Sequence, residues 1–161
     1  AIPVFAFAAT SNTLTSRLIG EGKQAEVIPT IYKITRQSCL AVLPILFCCL
    51  LFPQLVLSIY TNDPLLAEAS VPSLYVICFA ALTLGFGMTF FEAVSGTGNT
   101  INALLLESVV LAAYTLSVWF FASYIGTHVE WVWTSEITYG ILIGVLSLFY
   151  MKFAHWQKKK I

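Results

Sequence analysis

The stretch VPSLYVICFAALTLGFGMTFFEAV, residues 71–94, contains a single charged side chain, Glu92, close to its end. About 20 apolar residues in an α-helix are enough to cross the roughly 30 Å hydrocarbon core of a bilayer. A helix on the surface of a soluble domain needs a polar face, which this stretch does not have. The stretch therefore predicts a transmembrane helix.

Three further stretches have the same character, and we expect complete transmembrane helices over 38–60, 71–94, 102–124 and 133–153. The chain is 58% hydrophobic and 10% charged, a composition that does not fit a soluble surface. Residues 1–18 begin with AIPVFAFAAT, which is apolar at once and lacks the charged start of a signal peptide. We interpret them as the end of an earlier helix. The predicted fold is an all-α polytopic membrane bundle with one partial and four complete transmembrane helices.

The basic residues fall on one side of this topology. They precede the first complete span or flank and follow the last, and they are Arg17, Lys23, Lys33, Arg36, Lys152, Lys158, Lys159 and Lys160. The connections TNDPLLAEAS and IGTHVEWVWTSE contain acids and no Lys or Arg. Because short basic loops are retained on the cytoplasmic side, we expect 20–37 to be a cytoplasmic connection and 154–161 a cytoplasmic tail in the inner (cell) membrane.

Small residues suggest where the helices pack. Ala80, Thr83 and Gly87 share one face of the 71–94 helix, with Ala81 and Gly85 alongside. Apolar side chains gain little by leaving lipid, so close approach of small residues drives helix association in membranes. This face is predicted to contact another helix.

Two features of the region before and within the 38–60 span bear on its shape. Val27, Ile31 and Ile34 recur at helical spacing in the 20–37 connection, which favours a short amphipathic helix on the inner surface; a charged loop is the alternative. Pro44 deletes a backbone hydrogen bond inside the span and is a candidate hinge, although proline kinks also occur in static bundles.

Two acids lie clearly within the predicted spans, Glu92 and Glu107. Glu92 is about one turn from the inner end of its helix and can reach interfacial water. Glu107 lies on the order of 10 Å inside, and no Lys or Arg occupies a span interior to pair with it. It is therefore protonated, hydrogen-bonded or exposed to a wet cavity, and Tyr114, two turns onward, is a candidate partner. Proton or cation handling and a neutral tie between helices are the two interpretations.

Other functional classes find little support. The turn SGTGNT, residues 95–100, follows no strand and lacks a GK[ST] ending, so it is no nucleotide cradle. Cys48 and Cys49 are adjacent, and no metal-ligand spacing of Cys or His occurs, so we expect no metal and no cofactor. His128 and His155 fall on opposite sides of the membrane, which argues against an enzyme. A net charge of zero points to no nucleic-acid partner.

Three short motifs stand out along the chain: TSNTLTSRLIGEGKQAEV, YTNDPLLAEASVPSLYV and FFEAVSGTGNTINALL. In their order and in their sides of the membrane they resemble the C-terminal half of the multidrug and toxic compound extrusion (MATE) transporters. The resemblance covers about residues 8–110, whereas the last two spans match only in hydropathy and in the basic tail. The turn residues that carry it are Gly20, Gly22, Gly96, Gly98, Asn99 and Thr100. In the first motif, and again in SGTGNT, paired glycines permit a tight reversal, and Asn99 can cap the next helix.

The resemblance implies a twelve-helix transporter with two lobes around a central cavity, of which this chain is the end of helix eight and helices nine to twelve. Such a protein exports organic cations or drugs in antiport with protons or sodium ions, so an ion gradient takes the place of a cofactor. Its implied partners are a small organic or cationic substrate, the N-terminal lobe and the lipid bilayer. The fragment alone is expected not to transport, because the cavity forms between lobes.

One departure from the family pattern affects the ion site. Many members carry an acid about three turns before the SGTGNT-like turn, where this chain has Leu84 and Gly85. Glu92 and Glu107 therefore inherit no role by correspondence. Two alternatives to the antiporter stay open: a lipid-linked precursor flippase of the same superfamily, and a non-transporting membrane scaffold. The absence of Lys and Arg from the span interiors disfavours a flippase, which handles large anionic head groups.

Overall fold

A computed structural model describes residues 2–125, 129–154 and 156. Six α-helices make up nearly all of these residues, which contain no strand. They are α1 (Ile2–Gly20), α2 (Val27–Leu51), α3 (Pro53–Leu57), α4 (Pro64–Gly96), α5 (Thr100–Phe120) and α6 (Val129–Phe153). A 3₁₀ turn, Gln24–Glu26, precedes α2, and a π-helical segment, Phe121–Ile125, follows α5. His128, His155 and the predicted tail lysines, Lys158 to Lys160, lie outside the described residues.

The predicted all-α membrane bundle is confirmed. Among the described residues, four helical segments are long and apolar enough to cross a bilayer: Gln24–Leu51, Pro64–Gly96, Thr100–Tyr124 and Val129–Phe153. The 33 residues of α4 measure about 50 Å at 1.5 Å per residue, well beyond a hydrocarbon core of about 30 Å. Hydropathy predicts the part of this helix that lies in lipid, which is shorter than the helix itself.

Helix α4 is the centre of the bundle, because it contacts every other helix. Its main neighbours are α6, α1 and α2, while α5 packs chiefly on α6 and is the least buried of the long helices. The larger core cluster joins α1, α2, α4, α5 and α6 and includes Ile31, Phe90, Val94 and Met151. Trp156 closes this cluster, and its indole Nε1 donates to the Met151 carbonyl at 2.8 Å.

Glycines allow α4 and α6 to approach closely, as the small-residue face predicted. A Cβ added to Gly140 would lie 2.6 Å from Thr83 Oγ1, and one added to Gly87 would overlap the Gly140 carbonyl oxygen. A Cβ on Gly144 would meet the Phe86 ring. Gly85, on the neighbouring face, has the Ser38 hydroxyl of α2 3.4 Å from its Cβ position. The close packing in this part of the bundle therefore requires glycine at these positions.

The structure of residues 20–37 differs from both predicted alternatives. Neither a separate amphipathic helix nor a loop fills 20–37, because α2 runs unbroken from Val27 to Leu51. The amphipathic pattern itself is real: Val27, Ile31 and Ile34 are buried in the core, while Lys33 is exposed. The pattern marks the first two turns of the transmembrane helix, whose buried face continues into the membrane.

The predicted helix over 38–60 does not continue to residue 60. It ends at Leu51, since a residue before proline disfavours the α conformation and Phe52 adopts φ −130° and ψ 53° ahead of Pro53. Pro53 then opens the short α3. Pro44 stands inside α2 without ending it, so its role as a hinge stays a prediction.

Candidate functional site

The first and third sequence motifs meet where α1 packs against the end of α4. Asn12 Nδ2 donates to Glu92 Oε2 at 2.8 Å, and Ser16 Oγ donates to the Gly96 carbonyl at 2.9 Å. A Cβ at Gly96 would lie 2.6 Å from the Asn12 carbonyl oxygen. The half-buried Glu92 is thus tied to α1, which favours a positioning role for this acid over a side chain that extends into interfacial water.

The turns beside this junction use glycine in two places. Gly22 and Gly98 both have φ +75°, a left-handed conformation that L side chains rarely adopt. After α1, Lys23 N–H donates to the Leu18 carbonyl and Gly22 N–H to the Ile19 carbonyl, which satisfies the last carbonyls of the helix. Gly20 has nothing within 4 Å of its Cβ position, so this glycine is not required by packing.

Asn99 precedes α5 as predicted but does not cap the helix with its side chain. Its amide donates instead to the Tyr150 hydroxyl of α6 at 2.9 Å, and Asn102 donates to the same oxygen at 3.3 Å. Thr100 is the first residue of α5. The third motif therefore links α5 to α6 as well as α1 to α4.

The acid Glu107 is paired with Tyr139, and this corrects the prediction that Tyr114 is its partner. Tyr139, on α6, donates its hydroxyl to Glu107 Oε1 at 2.8 Å. Tyr114 donates to Glu136 Oε1, also on α6, at 2.8 Å. Helical side chains lean toward the N-terminus, so the Glu107 carboxyl leans away from Tyr114. The antiparallel neighbour supplies the closer hydroxyl.

Two crossed pairs thus join α5 and α6, each consisting of one glutamate and one tyrosine. The Tyr114 and Tyr139 rings are 5.7 Å apart between centroids and meet edge to face, which brings the pairs into contact. We call Glu107, Tyr114, Glu136 and Tyr139 the crossed cluster. The sequence analysis gives no role to Glu136 or Tyr139, because Glu136 falls where the outer connection overlaps the first turn of the predicted 133–153 span. Their spacing of three residues on one helix was the signal available.

The two oxygens of Glu107 differ. Oε1 accepts the Tyr139 proton, whereas Oε2 is buried and has no hydrogen-bond partner in the described part of the chain. Arg17 and Lys23 form ion pairs with a different acid, Glu21. A buried carboxylate oxygen without a partner is unusual, because burying a polar atom without a hydrogen bond costs free energy.

A cavity of about 400 Å³ lies between α1, α4 and α6. Its lining is largely apolar and includes Phe5, Met88, Trp133, Glu136 and Tyr139. Two members of the crossed cluster therefore border the cavity, and a third, Glu107, is bonded to one of them. The free thiols lie elsewhere, and no group of three or more His, Cys, Asp or Glu in 2–125, 129–154 and 156 could hold a metal ion.

The model of the MatE family matches residues 1–116, most of the chain and all three motifs. The chain belongs to the MatE family. This confirms the resemblance drawn from the motifs. Of the crossed cluster, the match to the MatE model includes Glu107 and Tyr114 and ends before Glu136 and Tyr139.

A curated relative extends the MatE match through α6. The chain is 25% identical over 161 residues to the Probable multidrug resistance protein NorM of Thermotoga maritima. The aligned region covers 99% of the chain. The chain spans 35% of the length of that relative. No solved structure matches this MatE family member significantly.

Proposed function

We propose that this chain is the C-terminal part of a twelve-helix, two-lobe transporter that exports organic cations or drugs in antiport with protons or sodium ions. The observation that carries the proposal is membership of the MatE family, supported by similarity to a protein named for multidrug resistance. The chain corresponds to the end of helix eight and helices nine to twelve. Xenobiotic efflux would place the protein in the cell (inner) membrane with a cytoplasmic C-terminus.

The N-terminal lobe is the partner that this proposal requires. The curated relative is about three times as long as the chain, and alternating access needs one bundle to move against another. The exposed apolar faces of the described helices are then shared between lipid and that lobe. We expect the chain by itself to be incompetent for transport.

Ion coupling is proposed to use Glu107. A group that gains or loses charge shifts the relative stability of two conformations, and this is how an ion gradient can drive movement. Glu107 offers one oxygen fixed by Tyr139 and one buried oxygen without a partner. Proton binding at that oxygen removes the unpaired charge, and a sodium ion would compensate it instead.

The test is substrate efflux from energised vesicles that contain the intact transporter, with the proton and sodium gradients collapsed separately. Antiport predicts that efflux stops when the coupling gradient is removed and continues when the other is removed. Vesicles without the protein control for passive leak. Efflux that is indifferent to both gradients would contradict the proposal and favour the flippase or scaffold interpretation.

A further inference from the structure

The exposed side of α2 changes in character along the helix, while the opposite side is buried in the bundle. Near the start of the helix its exposed side chains are polar or basic, and further along the same side they are apolar. At spacings of three and four residues they share one face. We call this set the outward face of α2, and it consists of Lys33, Arg36, Gln37, Leu40, Pro44 and Phe47.

The basic end of the outward face lies at the level of lipid head groups. Lys33 and Arg36 directly precede the apolar stretch that begins at residue 38. Next to them, the exposed Tyr32 packs edge to face against Phe90, with ring centroids 5.4 Å apart. Phe90 is six residues, or about 9 Å, from the end of α4 at Gly96. Tyrosine is enriched at this depth, because its ring is apolar and its hydroxyl is polar.

Lys33 and Arg36 form no ion pair with an acid in the described part of the chain. The ion pairs there join Glu21 to Arg17 and Lys23, before α2. Glu26 also precedes α2 and lies seven residues, or about 10 Å along the axis, from Lys33. Two like charges one turn apart on a helix repel each other, so an anion placed between them is favoured.

We propose that the outward face of α2 binds an anionic phospholipid, with its phosphate on Lys33 and Arg36 and an acyl chain along the apolar part. The Arg36 guanidinium presents its donors in a fork that matches phosphate oxygens, and the Lys33 ammonium adds a second positive charge. Gln37 carries amide donors for the remaining head-group oxygens. Basic residues at a membrane surface attract anionic lipids. This inference does not depend on the proposed antiport.

Other occupants fit the outward face less well. Phosphatidylcholine has a head group without net charge, which leaves the charges of Lys33 and Arg36 without compensation. A free phosphate ion would compensate them but would not cover Leu40, Pro44 and Phe47. An acidic segment of the proposed N-terminal lobe is the remaining occupant, and it would exclude lipid from this face.

Photoactivatable phospholipids test the proposal on the intact transporter in nanodiscs. Two probes carry the same diazirine-labelled acyl chain and differ in head group, which is phosphatidylglycerol in one and phosphatidylcholine in the other. Adducts are located by peptide mass spectrometry after illumination below saturation. We expect the phosphatidylglycerol probe to label residues 40–51 with about ten times the yield of the other probe, because two basic residues hold its head group. The double substitution Lys33→Gln and Arg36→Gln should remove this difference.

A second double variant provides the matched control. Arg17→Gln with Lys23→Gln also removes one arginine and one lysine, but at residues that pair with Glu21. The net charge changes equally in the two double variants, so the control should leave the labelling of residues 40–51 unchanged. Thermal unfolding midpoints check the folding of both. If the variant at Lys33 and Arg36 does not fold, the comparison of the two probes on the unmodified protein still tests the proposal.

Four results would overturn the proposed lipid site. Equal labelling of residues 40–51 by both probes in the unmodified protein would show no preference for an anionic head group. Unchanged phosphatidylglycerol labelling in the folded variant at Lys33 and Arg36 would remove the role of these residues. Equal losses in the two double variants would indicate attraction to net charge without a site. Labelling by neither probe would assign the outward face to the N-terminal lobe.

Discussion

Glu107 on α5 and Glu136 on α6 each accept a hydrogen bond from a tyrosine of the opposite helix, yet their surroundings differ. Glu136 borders an apolar cavity, whereas Glu107 accepts from Tyr139 through Oε1 and keeps Oε2 buried without a partner in the described chain. Of the two, Glu107 is the acid proposed for ion coupling, because one of its oxygens has no partner.

Glu107→Gln should abolish gradient-coupled efflux while preserving the fold. Glutamine keeps a carbonyl oxygen for the Tyr139 hydroxyl but cannot change its charge, so the ion gradient loses its point of action. The measurement is efflux from energised vesicles, with thermal unfolding as the check on folding. Glu68→Gln, at an exposed acid, is the matched control. Unchanged efflux in Glu107→Gln would contradict the proposed role of this residue in ion coupling.

Glu21, in the turn after α1, gives a pH dependence outside the membrane. Hydrogen bonds from Lys23 Nζ at 2.8 Å and from Arg17 Nε at 2.7 Å lower the pKa of Glu21 to about 2. A depressed folded pKa contributes stability that is present above the unfolded value, near 4.5, and is lost as the pH falls through about 2. The contribution is small because the group is exposed to solvent.

Lys23→Ala should therefore raise the pKa of Glu21 toward its ordinary value, since the largest cause of the depression is removed. Carbon-detected NMR titration of the labelled Glu21 carboxyl measures this directly. Lys33→Ala, at an exposed lysine further along the chain, is the control. A Glu21 pKa that stays near 2 in Lys23→Ala would contradict the assigned ion pair.

At the scale of elements, the close contact between α4 and α6 depends on glycines, which have no side chain. Gly140→Ala puts a Cβ 2.6 Å from Thr83 Oγ1 and 2.8 Å from the Thr83 backbone carbon, so the helices must separate. Overpacking of this kind typically costs about 1–3 kcal/mol. We expect a lower thermal unfolding midpoint for Gly140→Ala in detergent.

Gly20→Ala serves as the control for that prediction. Its Cβ meets nothing within 4 Å, so it should leave the unfolding midpoint nearly unchanged or raise it slightly through better helix propensity. Equal midpoints for Gly140→Ala and the unmodified protein would mean that α4 and α6 do not approach as closely as described.

Hydropathy was sufficient to predict which segments span a membrane, but not where their helices end. Apolar side chains are favoured only within the hydrocarbon core, so the apolar stretch in the sequence is shorter than the helix α4. The earlier start of α4 at Pro64 was signalled locally, because Asp63 accepts from the Leu65 N–H at 2.9 Å and proline suits the first helical turn. The end of α2 was signalled by Pro53.

The polar contacts were harder to predict, because they depend on how two helices are aligned. The sequence showed that Glu107 needed a partner, and it offered Tyr114 on the same helix. Which hydroxyl of α6 reaches Glu107 follows from the α5–α6 register, and hydropathy carries no information on that register. The same limit applies to Asn12 and Glu92, which are eighty residues apart in the chain and 2.8 Å apart between their bonded atoms.

At the scale of the whole molecule, the chain forms most of one lobe of the proposed two-lobe transporter. Its helices are organised around α4, and the first and third family motifs form contacts that join α1, α4, α5 and α6. Such ties favour movement of these helices as one body. The proposed antiport then requires that ion binding and substrate binding affect the same movement.

The proposed antiport exchanges an organic cation for an inorganic one. The direct measurement uses proteoliposomes with the intact protein and a gradient of N-methylacridinium, an organic cation with a permanent charge, and follows internal pH and sodium together. We predict a flow of protons or sodium opposite to the organic cation, present in the unmodified protein and absent in Glu107→Gln. Protein-dependent movement of the organic cation with no opposite flow of either ion would contradict it.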